Sequence, residues 1–402
     1  MSVPTLPVVT MEGTRSQRRH SGWLLLIGVT VATLLAICGW LIYLQVNDNI
    51  GGHGLAWGLA FAFVPVVPLT ALLLWLDRFD PSPVGWLVLA LAWGGLGATF
   101  IALQVNSHVA PHIGDIYGPS ARSAVFVAPW VEEACKGAIV LVIAFARRHR
   151  FNGIVDAVVL AGLSGIGFAF TENIVYYGNV FARATASDRG TDVALDAVRH
   201  LFLWRGVALP FAHPMFTMLT GIGVGIAVRQ RHTIVRILAP VAGYVCAVVG
   251  HMGYNAAASF TTRTDGLWPM YVATVLPMFA ILVAFVLWVR VSEQRVIAAR
   301  LGDYLVYGWL NQMQIDAVSS ISARRAARRA ARQDGEERRE AVRRYQRLSC
   351  ELGFLRDKIV SGVAGPEALD REGELIAAVR LLLPLTAPAS PGRTPRPAGV
   401  GW

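Results

Sequence analysis

The chain of 402 residues is 54% hydrophobic and only 15% charged, whereas soluble domains carry about 25% charged residues. This composition excludes a soluble globular protein and predicts an all-α polytopic membrane protein. The net charge of +10 is concentrated in the termini and in short loops. It therefore bears on membrane topology and on contact with anionic lipid, and nucleic-acid binding is not expected.

Apolar segments of about 20 residues, the length that crosses a bilayer core, predict eight transmembrane helices. These segments lie at about 22–44, 55–76, 84–105, 122–146, 153–177, 207–228, 234–257 and 269–290. Arg18 and Arg19 precede the first segment and Arg78 follows the second, whereas the loops 45–54 and 106–121 contain neither Lys nor Arg. The positive-inside rule then places both termini in the cytoplasm. We expect a multi-pass protein of a bacterial cell membrane.

The chain divides into four predicted parts. They are an N-terminal cytoplasmic tail at 1–21, a transmembrane domain at 22–290, a basic amphipathic helical region at 291–349 and a C-terminal tail at 350–402. Arginine pairs such as Arg324 and Arg325 alternate with Ala in the basic region, which favours contact with anionic lipid. The tail is Pro-rich from about residue 384, which predicts disorder there.

The fourth predicted span contains Glu132, Glu133 and Lys136, although a charged side chain at the bilayer centre costs at least about 2.5 kcal/mol. Lys136 is one of only two lysines in the chain, the other being Lys358. Spacings of four and three residues bring its ammonium group close to both carboxylates on one helix face. We interpret the three as part of a functional site, and the alternative is a buried ion pair that only joins helices.

Further polar side chains follow in spans five to seven. They are Glu172 and Asn173, His213, and His251 with Asn255. At a rise of 1.5 Å per residue, the glutamate and both histidines lie about 8–10 Å inside the external ends of their spans, and Glu132 lies about 15 Å inside. This shared depth predicts one cavity open to the external side. A set of glycines before Glu172 predicts close helix packing, and they are Gly162, Gly165 and Gly167.

Four motifs in this order resemble those of the PrsW family of intramembrane proteases, which is related to the CAAX prenyl endopeptidases. They are Glu132-Glu133-Ala134-Cys135-Lys136, Phe168-Ala169-Phe170-Thr171-Glu172-Asn173, His213-Pro214-Met215-Phe216 and His251-Met252-Gly253-Tyr254-Asn255. The resemblance covers about Phe61 to Arg290, where it implies a protease-like core. It implies hydrolysis of a peptide bond in a membrane-anchored substrate, such as a single-span anti-sigma factor, near the external side.

Two mechanisms fit the resemblance. In a metal-free version, Glu132 activates water with help from Glu172 or His213, while His251 and Asn255 hold the oxyanion. The related CAAX group has a His where this chain has Glu172. In a metal-dependent version, a divalent ion such as zinc has ligands from the set Glu132, Glu172, His213 and His251. Glu133 is then the base, and Lys136 and Asn173 are supporting residues in either version.

Two other function classes compete with a protease. Intramembrane Glu, Lys and His residues also form ion or proton relays in transporters. A transporter often contains inverted repeats, and the sequence shows no such symmetry. The third class is a non-catalytic scaffold or pseudoprotease that acts through the Arg-rich C-terminal region.

Overall fold

A computed structural model describes residues 14–117, 121–147, 151–187, 190–260 and 271–386, and no strand occurs among them. The α-helices of this part of the chain are α1 (Thr14–Leu76), α2 (Val84–Ala92), α3 (Thr99–Tyr117), α4 (Ala121–Phe126), α5 (Ala128–Ala146), α6 (Ile154–Ala186), α7 (Gly190–Phe202), α8 (Ala212–Ala227), α9 (Thr233–Phe260), α10 (Leu276–Gly302), α11 (Gln312–Ser319), α12 (Ile321–Gln333), α13 (Glu336–Val360) and α14 (Ala368–Thr386). Short π-helical segments at Trp93–Ala98, Leu203–Ala208 and Tyr271–Val275 join or precede some of them.

Several of these helices are long and apolar enough to cross a membrane, which confirms a multi-pass membrane protein. The candidate spans among the described residues are Leu25–Leu76, Val84–His108, Ile154–Ala186, Gly190–Ala227, Thr233–Ala257 and Leu276–Gly302. The first is 52 residues long and is interrupted at Gly51, whose φ of 66° is not helical. It thus contains both the first and the second predicted spans. Helix α5 is 19 residues long, but it carries three charged side chains and is not among these candidate spans. The count of eight transmembrane helices therefore stays a prediction.

Helix α6 lies at the centre of the transmembrane domain and packs against α1, α2, α5 and α8. Every residue from Asp156 to Ala169 is buried. A Cβ atom added to Gly165 would lie 2.6 Å from Pro214 Cα, and one added to Gly167 would lie 2.0 Å from Leu91 O. The predicted role of these glycines in close helix packing is confirmed, and Gly165 lets α6 approach α8 beside His213.

The C-terminal helices form a packed unit. Helix α10 runs past the predicted domain boundary at 290 to Gly302, and its buried residues Ile297 and Leu301 pack with side chains from α11, α13 and α14. Helix α13 also crosses the predicted boundary between 349 and 350 without a break. The apolar core of this unit explains the difference, because residues 350–386 supply part of it. The predicted disorder from about 384 concerns mostly residues 387–402, which lie outside the described residues.

Candidate functional site

Four helices bring the predicted site residues into one buried cluster. Helix α5 supplies Glu132, Glu133 and Lys136, while α8 supplies His213 and α9 supplies His251. Helix α6 adds Glu172 and Asn173. Glu133 and Lys136 are fully buried at 0% exposure, and the two histidines are 5% and 1% exposed. The convergence predicted from similar depth along the spans is therefore present in the fold.

The Glu133 carboxylate uses both of its oxygens inside this cluster. Its Oε1 accepts from Lys136 Nζ at 2.7 Å and lies 3.0 Å from His251 Nδ1. Its Oε2 accepts from the hydroxyl of Thr217 at 3.0 Å. Glu133 thus fixes the positions of a cation and of an imidazole ring, and both of its oxygens are bonded.

The Glu132 carboxylate is less completely bound. Its Oε1 accepts a long hydrogen bond of 3.5 Å from Asn106 Nδ2. Its Oε2 lies 3.6 Å from Lys136 Nζ and 3.8 Å from His251 Nε2, and it is buried without a hydrogen-bond partner among the described residues. A buried, unsatisfied carboxylate oxygen is costly, and such a group is suited to a proton, a water molecule or a cation.

A second polar chain runs from His213 through Glu172 to Arg205. His213 Nδ1 lies 3.3 Å from Lys136 Nζ, and its Nε2 lies 2.8 Å from Glu172 Oε2 without the alignment of a hydrogen bond. Arg205 Nη2 donates to the same Oε2 at 2.7 Å, and its Nε donates to Asn173 Oδ1 at 2.8 Å. The guanidinium group therefore holds the Glu172 and Asn173 side chains in fixed positions.

Aromatic rings surround the charged groups. The Phe168 ring lies under the Lys136 ammonium, 4.0 Å from its centroid, and the Phe216 ring stacks on His251 at 5.5 Å. The rings of His213 and His251 meet edge to face at 4.9 Å. These rings exclude bulk water, so the polar interactions between the charged groups are strengthened.

Asn255 lies one helical turn beyond His251 on α9. Its amide donates to the carbonyl oxygen of Ala124 at 2.9 Å, which joins α9 to α4. Asn255 therefore uses one of its donors in a contact between helices. The role expected for Asn255 from the resemblance was to hold an oxyanion. That role stays a prediction.

A comparison with known protein families matches residues 82–288 to the PrsW family of intramembrane metalloproteases, which is just over half of the 402 residues. The chain belongs to this family. All of the clustered side chains lie inside the matched region. The protein is therefore a membrane peptidase, and family membership does not favour the transporter alternative. No curated protein and no solved structure matches the chain in corresponding comparisons.

The buried cluster contains side chains that the sequence alone did not point to. Arg205 was missed because it stood at the edge of a predicted external loop, yet it lies in the π-helical segment Leu203–Ala208. π-Helical segments are frequent at functional sites, but the sequence does not indicate where they occur. Thr217 lies four residues after His213, so helical periodicity alone could have found it. Asn106 lies in a segment interpreted as an external loop and had no detectable signal.

The donor set of this PrsW protein fits a divalent cation. Ligand atoms of Glu132, His213 and His251 lie within 4.8 Å of one another, and carboxylate and imidazole are usual zinc ligands. Three carboxylates face the cations Lys136 and Arg205, which leaves one negative charge uncompensated when both histidines are neutral. The Glu132 and His213 atoms without hydrogen-bond partners support the same fit. Glu172, predicted as a fourth ligand, is not part of this group; its Oε2 accepts from Arg205 and lies 2.8 Å from His213 Nε2.

Proposed function

We propose that this peptidase hydrolyses a peptide bond of a membrane-anchored protein near the external membrane surface, with water activated at Glu132. One observation carries the proposal. Ligand atoms of Glu132, His213 and His251 lie within 4.8 Å of one another, and Glu132 Oε2 has no hydrogen-bond partner among the described residues, while His213 Nε2 faces Glu172 Oε2 at 2.8 Å without hydrogen-bond alignment. Acyl hydrolysis needs a base for water and a donor for the oxyanion, and these two atoms can supply them.

The partners of the two histidines favour different tautomers. Glu133 Oε1 accepts from Nδ1 of His251, so in the neutral ring the lone pair is on Nε2, which faces Glu132. The Lys136 ammonium donates toward Nδ1 of His213, so in the neutral ring the proton is on Nε2. His213 is then a hydrogen-bond donor at the site, whereas His251 is an acceptor. The oxyanion role expected of His251 therefore passes to His213 in this proposal.

The reaction follows from these roles. Glu132 accepts a proton from water as the water oxygen attacks the carbonyl carbon, and the N–H of His213 stabilises the developing oxyanion. Glu132 then returns the proton to the leaving amine as the C–N bond breaks. Glu133 is a positioning residue here, since both of its oxygens are already bonded. This departs from the metal-dependent hypothesis, in which Glu133 is the base.

A divalent ion such as zinc would be held by Glu132, His213 and His251. When bound, it would supply Lewis-acid polarisation of the scissile carbonyl and lower the pKa of water. His213 can offer a lone pair only after its Nε2 proton leaves, so metal uptake releases a proton. Metal analysis of the purified protein, combined with cleavage assays after chelation, tests this arrangement. Full activity of metal-free protein would contradict a metal-dependent mechanism.

We propose a single-span protein, such as an anti-sigma factor, as the substrate. The site lies between candidate membrane spans, and its walls include the Phe168 and Phe216 rings, which suit an apolar segment. Membrane proteomics of cells with wild-type protein against cells with Glu132→Ala tests the proposal. We expect one single-span protein to accumulate in its uncut form with the variant. Identical membrane proteomes, with the wild type expressed and inserted, would contradict it.

A further inference from the structure

A second group of buried charges lies where the transmembrane domain meets the C-terminal helices. The Phe79 side chain, fully buried in the turn after α1, contacts the guanidinium groups of Arg290 at 4.8 Å and of Arg324 at 4.9 Å. Arg290 also lies over the Trp75 ring at 4.3 Å. The Phe79 ring thus contacts arginines from both α10 and α12, and Arg78 precedes it in the chain.

Five arginines make up this group, which we name the junction arginines: Arg78, Arg290, Arg324, Arg325 and Arg328. Few carboxylates balance them. Arg290 pairs with Glu293 at 3.3 Å, and this is the only ion pair that the junction arginines form among the described residues. Nε and Nη2 of Arg290 are buried there without a hydrogen-bond partner. Buried donors without acceptors are unfavourable, so the arrangement indicates an acceptor from outside the described chain.

Like charges also act on one another across the junction. The pKa of the Arg78 guanidinium lies below its ordinary value because of burial and because Arg325 and Arg324 repel its charge. Burial lowers the pKa of Arg328 as well, and repulsion from Arg324, Arg343 and Arg78 adds to it. The side chains of Arg78 and Arg325 form neither an ion pair nor a hydrogen bond with any described residue. An anion bound between them would relieve this repulsion.

We propose that the junction arginines bind the phosphate group of an acidic phospholipid. The planar fork of an arginine matches phosphate oxygens in two parallel hydrogen bonds. Arg78 follows the candidate span Leu25–Leu76 by two residues, and Arg290 directly follows the uncharged apolar run 276–289. Both arginines thus lie at the end of an apolar membrane segment, where we infer that lipid headgroups are within reach. Exposed Leu74 and Leu287 on the same two helices leave apolar surface for acyl chains.

A bound phosphate would join three parts of the fold. Arg78 belongs to the turn after α1, Arg290 to α10, and Arg325 to α12. The lipid would therefore hold the C-terminal helical unit against the transmembrane domain. This role is independent of the proposed peptidase site, because no junction arginine forms an ion pair or hydrogen bond with the Glu132 cluster in the part of the chain that the structure describes.

The test uses the purified full chain in neutral detergent and native mass spectrometry. The probes are phosphatidylglycerol, phosphatidylcholine and inorganic phosphate. We expect selective binding of phosphatidylglycerol, and we expect the double variant Arg78→Gln, Arg325→Gln to weaken it about thirtyfold. The matched control is Arg332→Gln, Arg344→Gln, which removes the same charge from exposed positions of the same helical unit. We expect the control to change the affinity less than about twofold.

Three outcomes would overturn the proposal. Equal losses in both double variants would mean general surface attraction, and equal binding of phosphatidylcholine would exclude a site for acidic lipid. Inorganic phosphate alone could also bind as strongly as phosphatidylglycerol and lose this binding in the junction variant. That result would assign the site to a free anion. If the double variant does not fold, the exposed single variant Arg325→Gln replaces it, with an expected loss of about fivefold.

Discussion

The proposed peptidase site and the junction arginines both bring charged side chains close together, but their balances of charge are opposite. At the site, three carboxylates face Lys136 and Arg205, so negative charge is in excess. At the junction, Glu293 alone pairs with the arginines among the described residues, so positive charge is in excess. An excess of either sign at a partly buried cluster suits a partner of the other sign.

The two regions therefore suit different roles, catalysis in the first and binding of an anion in the second. The site leaves single atoms of Glu132 and His213 without partners, which suits a proton, a water molecule or a cation that takes part in a reaction. The junction leaves the guanidinium groups of Arg78 and Arg325 without partners among the described residues, which suits a larger anion that stays bound. Removal of a charge should therefore abolish activity in the first region and change only binding or stability in the second.

The largest expected effect comes from the peptidase site. Glu132→Gln keeps the size of the side chain but removes the base, and His251→Ala removes the lone pair that faces it. Each should lower cleavage of a membrane-anchored substrate by about a thousandfold or more while membrane insertion is retained. The matched control is Glu293→Gln, a buried carboxylate at the junction, which should retain cleavage within a few-fold. Full activity of either site variant would refute the assignment of the site.

A smaller loss should follow from Gly165→Ala. The added Cβ would lie 2.6 Å from Pro214 Cα and 3.0 Å from His213 O, so α8 must move away from α6. Because a shift of about 1 Å at a catalytic group costs on the order of a hundredfold, we expect that loss in kcat. Gly253→Ala on α9 is the control, since no atom lies within 4 Å of its added Cβ. Similar activity of the two variants would show that this close approach does not position His213.

Arg205 should matter less than Glu132, because it acts through Glu172. Arg205→Ala frees the Glu172 and Asn173 side chains, and removal of such supporting partners costs about 10–100-fold. The loss should appear in kcat, and Arg205→Lys should restore part of it through its positive charge. Arg199→Ala, at an exposed ion pair with Asp196, is the control. A change in KM alone would indicate substrate binding instead of positioning.

The buried clustering of the charged residues was easier to predict from the sequence than the rest of the fold, and the reason is physical. A charged residue in an apolar span is costly, so Glu132, Lys136 and Glu172 could be recognised without a structure. The interaction between Glu172 and Arg205 depends on how a π-helical segment turns, which local composition does not reveal. The C-terminal unit was underestimated because its arginines dominate the composition, while its core uses scattered residues such as Cys350 and Leu375.

The smallest expected effect concerns pH and stability at the junction side of the fold. Burial and repulsion from Asp156 and Glu351 raise the pKa of Asp80 to about 7, although Lys358 and a hydrogen bond from Asn152 oppose the shift. The folded state therefore binds a proton that the unfolded chain releases near pH 3.8, and stability falls as pH rises from there through about 7. The Asp80→Asn variant lacks this titration. Its melting temperature should match the wild type near pH 4 and exceed it by about 2–4 °C near pH 8. Parallel melting curves of the two proteins across this range would contradict the shifted pKa.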